Sequence, residues 1–177
     1  METIAGGNGA RPTKDGPDGV QTNLQNTENA PIEEVELHYP IRVKRYELIT
    51  DSCGAGQYRG GMAIRRDFEF PYAECSWTVL SDGRKFAPWG LMGGQEGSCA
   101  KFIFDPEGEH RDLPSKCTVE VPKGGCVRVE TPGAGGFGEP LKRERGAVHK
   151  DLRDDKISAD AARQPLSLIH ISEPTRR

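Results

Sequence analysis

Cys126-Val-Arg-Val-Glu-Thr-Pro-Gly-Ala-Gly-Gly-Phe-Gly-Glu-Pro140 sets the reading of the whole chain, because an alternating strand pattern runs without a break into four glycines fenced by two prolines. Val127 and Val129 share one face of an extended segment, and the segment then meets Gly133, Gly135, Gly136 and Gly138. Glycine raises the entropy lost on ordering. A dense cluster is therefore expected only where positive φ, close backbone approach or an anion-cradling row of amides is required. Three stretches have the same character: Gly6-Gly-Asn-Gly-Ala-Arg11, Gly54-Ala-Gly-Gln-Tyr-Arg-Gly-Gly61 and Gly90-Leu-Met-Gly-Gly-Gln-Glu-Gly97. Short strands carrying four glycine loops are the expected plan.

Outward from that stretch, Cys117-Thr-Val-Glu-Val121 and Cys126-Val-Arg-Val-Glu130 flank Pro122-Lys-Gly-Gly125, which reads as a β-hairpin. Met62 to Phe70 is the cleanest strand, with Met62, Ile64, Phe68 and Phe70 on one parity. Arg66 falls on that apolar side, either snorkelling at a rim or buried against a carboxylate. Glu74 to Leu80 and Ser98 to Phe104 alternate likewise. In Pro40 to Ile49 the apolar parity changes between Val43 and Tyr46, which predicts a β-bulge near Lys44-Arg45. Pro31 to Leu37 reads as a short helical turn capped near Asn29. A second helix is expected to begin at Ser158, with Asp160 in its first turn, and to end at Gln164-Pro165. These six strands predict a mainly β fold, a barrel- or sandwich-like arrangement of antiparallel strands with long Gly-rich loops and a short C-terminal helix. Gly6 to Pro31 reads as a long polar loop, opening with no preceding element to hold it.

The chain has 177 residues, 34% of them hydrophobic, with 22 Gly and 13 Pro, so a modest core carries much loop. A formal charge of -3, with no stretch interleaving Lys/Arg and aromatics, excludes a nucleic-acid footprint. No apolar run reaches membrane-spanning length, and Met1-Glu-Thr-Ile-Ala has neither the basic nor the apolar region of a secretory signal. Five cysteines, at 53, 75, 99, 117 and 126, make an odd number with no C-x-x-C pair. They read as reduced thiols, mostly small strand residues, and as a sign of a cytoplasmic protein.

Gly133 to Gly138 formally satisfies G-x-G-x-x-G, but Glu139-Pro140 follows directly and Gly146 is expected to break any helix within little more than a turn. The dinucleotide reading is therefore set aside. There is no P-loop signature. His38, His110 and His149 are dispersed, so no metal site is expected from this chain alone. Ser52 and Cys53 read as turn residues in preference to nucleophiles, since no G-x-S-x-G surrounds them. The stronger signal is glycine loops accompanied by arginine, namely Arg11, Arg59 and Arg84, a combination suited to a carboxylate or phosphate. Glycines that only let turns pack closely are the alternative.

Five motifs in order give the chain a likeness: Glu2 to Pro12 with Asp15-Gly16; Asn29-Ala-Pro-Ile-Glu33 with Glu36 and Tyr39-Pro40; Asp51 to Gly61; Pro88 to Gly94 with Gly97; and Thr131 to Gly138. Across residues 2 to 163 it resembles the C-terminal part of the hydantoinase B/oxoprolinase family. Cys53 and Ala134 stand where glycine is usual in that family, and Glu139 where aspartate is. The resemblance implies part of an ATP-dependent system that opens cyclic amides such as 5-oxoproline or hydantoins, with ketone carboxylases among its relatives. It implies a hydantoinase A-type ATP-binding subunit as partner, the rest of a B-type subunit, and ATP and a divalent metal in the intact system but no cofactor in this part. Metal-binding positions of the family would lie upstream of Met1, so the chain is expected to be a fragment, inactive alone.

On this likeness Gly6, Gly7, Gly9, Arg11 and Asp15 are expected to contact substrate or intermediate, while Asp51, Arg59, Gly133, Gly135, Gly136 and Gly138 are expected to be structural or subunit-facing. The competing expectation is a β-rich scaffold with no direct chemistry. Residues 1–165 are taken as the family segment. Leu166-Ser-Leu-Ile-His-Ile-Ser-Glu-Pro-Thr-Arg176 matches the translation of a transposase-based sequencing adaptor, so 166–177 are expected to be foreign.

Overall fold

The computed structural model describes residues 2–21 and 29–163; the tail expected to be foreign and the Gln164-Pro165 helix stop lie outside them. The described elements are α1 (Ile32–His38), β1 (Arg42–Leu48), β2 (Ile64–Glu69), β3 (Cys75–Leu80), β4 (Lys101–Phe104), β5 (Arg111–Asp112), β6 (Lys116–Val121), β7 (Cys126–Glu130), α2 (Arg145–Arg153) and α3 (Ala159–Arg163). Five strands form one antiparallel sheet in the order β1-β2-β7-β4-β5, and β3 with β6 forms a second, two-stranded sheet. One core joins them: Phe68, Phe70, Phe102, Phe104, Val127 and Val129 from the large sheet meet Val79 and Val121 from the small one. The fold is sandwich-like, with no closed barrel among the described residues.

Register in the large sheet follows from its two faces. Inward, Val43, Phe68, Val127 and Phe104 form one cross-strand row, and Tyr46, Arg66, Val129 and Phe102 form the next. Outward, Glu47, Arg65, Glu130 and Lys101 alternate in sign across four strands, with Arg45, Asp67 and Arg128 beside them in the opposite phase. Slipping one residue would turn the phenylalanines out of the core and set the charged row, with its ion pairs, against it, so both faces select the same pairing. The bulge in β1 falls between Val43 and Arg45 and brings Tyr46 into phase with Val43, as the sequence pattern requires.

Arg66 is the buried base and not the rim residue. Its side chain is 0% exposed, stacked on Tyr46 and Phe68 at 4.8 and 5.0 Å, and it reaches the Glu2 carboxylate through Nη1. The N-terminal stretch is likewise held, since Ile4 packs on the core and the Gly7 N–H donates to Pro132 O at 3.0 Å.

Three expectations are corrected. β6 and β7 do not form a hairpin. The Pro122 to Gly125 turn closes with the Gly125 N–H on Pro122 O at 2.8 Å, but β6 pairs with β3 and β7 with β2 and β4, so the turn carries the chain from one sheet to the other. Gly146 does not break a helix, because α2 starts at Arg145 and places it in the first turn, where amides have no intrahelical acceptor to lose. Asn29 does not cap α1, whose N-cap is Pro31; the Asn29 amide donates instead to the Tyr46 hydroxyl at 2.7 Å.

The four glycine loops converge into one bundle. Residues 132–138 run between the 52–61 and 88–98 segments and bond to both. Ala134 N–H donates to Gly61 O at 2.9 Å, Phe137 to Tyr58 O at 2.9 Å, Gly133 to Ser98 O at 3.1 Å and Gly136 to Gln95 O at 2.9 Å. The N-terminal loop closes a further side, with the Ala10 N–H on Gly135 O at 3.1 Å and the Gly61 N–H on Asn8 O at 2.8 Å. A Cβ at Gly60 would lie 1.9 Å from Ala134 O, and one at Gly133 1.9 Å from Ser52 O. Neither residue has positive φ, so close approach is what these positions require. Gly60→Ala is expected to lose about 2–4 kcal/mol or to fail to fold. Gly9→Ala, where a Cβ meets nothing within 4 Å, should leave the urea unfolding midpoint nearly unchanged.

Candidate functional site

Below the bundle, six charged side chains from three regions form one connected, charge-balanced group. Arg59 donates from Nε to Asp151 at 3.1 Å and from Nη1 to Asp18 at 2.9 Å. Arg143 grips both oxygens of Asp15, at 2.7 and 2.8 Å, and donates to Asp151 at 2.6 Å. Lys156 completes Asp18 at 2.9 Å, while backbone N–H groups of Arg59 and Met62 donate to Asp15 and Asp18 at 2.8 and 2.9 Å. Three cations face three carboxylates, and Arg143 Nε is the one buried nitrogen of the group without a partner.

Asp151 is in place because α2 turns its Val148 and Asp151 side inward. α3 is set by Ser158, whose hydroxyl accepts the Ala161 N–H at 3.1 Å while its own N–H donates to Asp51 at 2.7 Å. Burial tends to raise the Asp15 and Asp18 carboxyls. The hydrogen bonds from Arg143 to Asp15, and from Arg59 and Lys156 to Asp18, outweigh it and hold both below their ordinary value of 3.8. Burial would lower the two guanidiniums, but their carboxylate partners hold both above the usual arginine range.

A cavity of about 540 Å³ opens beside this group, lined by Arg59, Arg143 and Asp151, by Cys53 and Ala55, and by Val148, Ile157 and Ala162 of the C-terminal region. Burial pushes the Cys53 thiol above its ordinary 9.0, so it is a neutral thiol at pH 7 and not an activated nucleophile. Ser52 is 3% exposed, and its hydroxyl donates to Ile49 O at 2.5 Å and accepts the Ala63 N–H at 2.8 Å, so it is structural. Among the described residues no group of three or more His, Cys, Asp or Glu is placed to hold a metal ion, and no helix is long and apolar enough to cross a membrane.

The residues singled out from sequence separate into two sets. Asp15, Asp51 and Arg59 come together with the C-terminal helices, and Gly133, Gly135, Gly136 and Gly138 lie in the bundle. Gly6 and Gly7 pack on Pro132 and Gly61, Gly9 faces open space, and Arg11 is exposed at a turn bridged to Lys14, with no ion pair among the described residues. Arg84, also exposed, does not join them. Asp18, Arg143, Asp151 and Lys156 were not singled out as site residues. An inward i, i+3 pair, Val148 and Asp151, was the only signal, and it is visible only once α2 is admitted.

The profile of the hydantoinase B/oxoprolinase family matches residues 1–140. The chain belongs to that family. Among hydantoinase B/oxoprolinase relatives, the B-type subunit of a putative D-/L-hydantoinase from Pseudomonas sp. (strain NS671) is 41% identical over 165 residues, covering 92% of this chain and 28% of the relative. The 5-oxoprolinase 1 of Arabidopsis thaliana is 38% identical over 141 residues, 79% of this chain and 11% of the relative. The solved ATP-dependent caprolactamase of Pseudomonas jessenii superposes with a TM-score of 0.74 at 29% identity, over 90% of this chain and 29% of that one. Acetone carboxylase, at 22% identity and a TM-score of 0.67, shares the fold. The chain thus spans under a third of the length of these family members.

The charged group has a defined pH response. The Asp15 and Asp18 carboxyls sit below their unfolded value, so their contribution is complete above the ordinary 3.8 and is lost as pH falls through the lower folded values. Thermal midpoints should hold from neutrality to about pH 5 and drop steeply below about pH 4. Arg59→Met takes one of the two cations from each of Asp18 and Asp151, leaving the buried group with an excess negative charge, and should cost about 3–5 kcal/mol in chemical unfolding.

Proposed function

We propose that this chain is a β-rich part of the B-type subunit of an ATP-dependent amidohydrolase opening cyclic amides of the 5-oxoproline or hydantoin class. Its partners are the rest of that subunit and an A-type ATP-binding subunit. The observation that carries the reading is the superposition of nine-tenths of this chain on an ATP-dependent caprolactamase. The hydantoinase and 5-oxoprolinase relatives point to ring-opening of the same bond type.

An unactivated cyclic amide is a poor electrophile. Phosphorylation by the ATP-binding partner would give its carbonyl carbon a good leaving group and the intermediate a dianionic tail. Arg11, exposed and without an ion pair among the described residues, beside the open side of Gly9, is the group of this chain suited to receive that charge. Asp15 then acts as a positioning residue: its carboxylate, clamped by Arg143 and the Arg59 N–H, fixes the turn that carries Arg11.

A scaffold reading has one observation in its favour. The amides of Gly7, Gly133, Gly136 and Gly138 all donate to backbone carbonyls of neighbouring loops, so they have no donor left for a ligand. Arg11→Ala in the intact subunit, assayed with its ATP-binding partner on 5-oxoproline and hydantoin, separates the two. A contact to the intermediate predicts a fall of more than about tenfold in kcat/KM with the thermal midpoint unchanged, and a scaffold predicts no fall. Absence of ATP-dependent ring opening of either substrate by the wild-type pair would overturn the amidohydrolase reading itself.

A further inference from the structure

The loop from Phe86 to Met92 breaks two rules of a solvent-facing turn. It leaves Phe86, Trp89 and Met92 75%, 78% and 77% exposed, with Leu91 at 54% beside them. Leu141, at 59%, follows two residues after the Glu139 that Gly93 abuts. The loop also bends through Leu91-Met-Gly-Gly94, closed by the Gly94 N–H on Leu91 O at 2.9 Å, with φ of 52° at Met92 and 91° at Gly93. Two consecutive positive φ values make a type I′ turn, whose first central position suits Asn, Asp or Gly. Methionine there carries backbone strain and recovers nothing from this chain, since its side chain stands in solvent.

The turn is nonetheless rigid. Leu91 N–H donates to Gly136 O and Gly138 N–H to Leu91 O, both at 2.9 Å, which ties it to the glycine bundle. A strained, rigid turn that presents a thioether next to an exposed indole has the form of an interface anchor.

The border of this surface is polar and carries both signs of charge. Arg84 and Lys85 are exposed just before the loop, with Lys85 Nζ 5.3 Å from the Phe86 ring centre, and Asp82 and Glu96 are exposed on the same β3–β4 connection; Lys142 is paired with Glu139 at 3.3 Å. An apolar middle with a charged border of both signs is the composition of a protein–protein interface. In the caprolactamase the matched part is 29% of the chain, so most of that polypeptide is available to supply such a face. Resting on the B-type reading above, we infer that Phe86, Trp89, Leu91, Met92 and Leu141 form the surface on which the remaining polypeptide of a B-type subunit packs, through an apolar face.

The test co-expresses the 177-residue chain with the B-type hydantoinase polypeptide of Pseudomonas sp. (strain NS671) lacking its homologous segment, and measures affinity capture. Wild type should be captured, and Trp89→Asp and Met92→Asp should each weaken capture at least about tenfold without lowering the chain's own thermal midpoint. Equal capture of wild type and both variants overturns this surface and leaves the B-type reading standing; failure to capture wild type overturns both. On the chain alone, Met92→Asn should raise the midpoint by relieving the turn, and dilute peroxide should oxidise Met92 as fast as free methionine. A lowered midpoint or a protected Met92 would place the thioether inside this chain and overturn the inference. A concentration-dependent dimer abolished by Trp89→Asp would overturn it in favour of a second copy.

Discussion

Backbone running against backbone is the constraint on which the rest of the structure depends. Where residues 132–138 pass between the 52–61 and 88–98 segments, carbonyl oxygens occupy the positions in which side-chain carbons would otherwise stand. The hydrogen bonds between these segments are ordinary in length. What is unusual is that neighbours approach from more than the two sides a sheet allows, and only glycine leaves room for the additional ones. The apolar sandwich supplies burial, and the crowded bundle fixes how the N-terminal loop and the C-terminal helices attach to it.

That attachment is made by charge. Arg59 lies at the foot of the bundle, Asp15 and Asp18 come from the N-terminal loop, and Arg143, Asp151 and Lys156 from the C-terminal region. Isolated buried ions are expensive; here each carboxylate has at least two donors, and the guanidiniums bind in forked geometry. The group therefore stabilises one arrangement of three distant stretches and penalises any other. Its side facing the cavity makes that cavity a product of the same closure.

Periodicity made most strands legible. Met62 to Phe70, Ser98 to Phe104 and Cys126 to Glu130 carry alternation that survives into β2, β4 and β7, and the parity break in β1 is the bulge itself. Pairing was less legible. The Pro122 to Gly125 turn has the same local chemistry whether its flanking strands join one sheet or two, and only the core, which needs Val79 and Val121 opposite the large sheet, separates the cases. β5, two residues long, has no period to read. α2 was hidden by weighing Gly146 as a mid-helix residue. The glycine clusters had three possible causes, and local sequence does not distinguish crowding from cradling, because the oxygen that a Cβ would strike belongs to another loop. The ion group was least legible, since its members look like solvated surface charges until the chain closes on itself.

The pairing of Asp15 with Arg143 spans 128 residues, and that of Asp18 with Lys156 spans 138. During synthesis at roughly 5–20 residues per second, the first carboxylates wait on the order of ten seconds for their cations to be made. Over that interval the nascent N-terminal loop has no counter-charge from α2 and its flanks. Completion of the fold is thus deferred until those helices have cleared the ribosome, which makes them a checkpoint on whether the first loop ever settles.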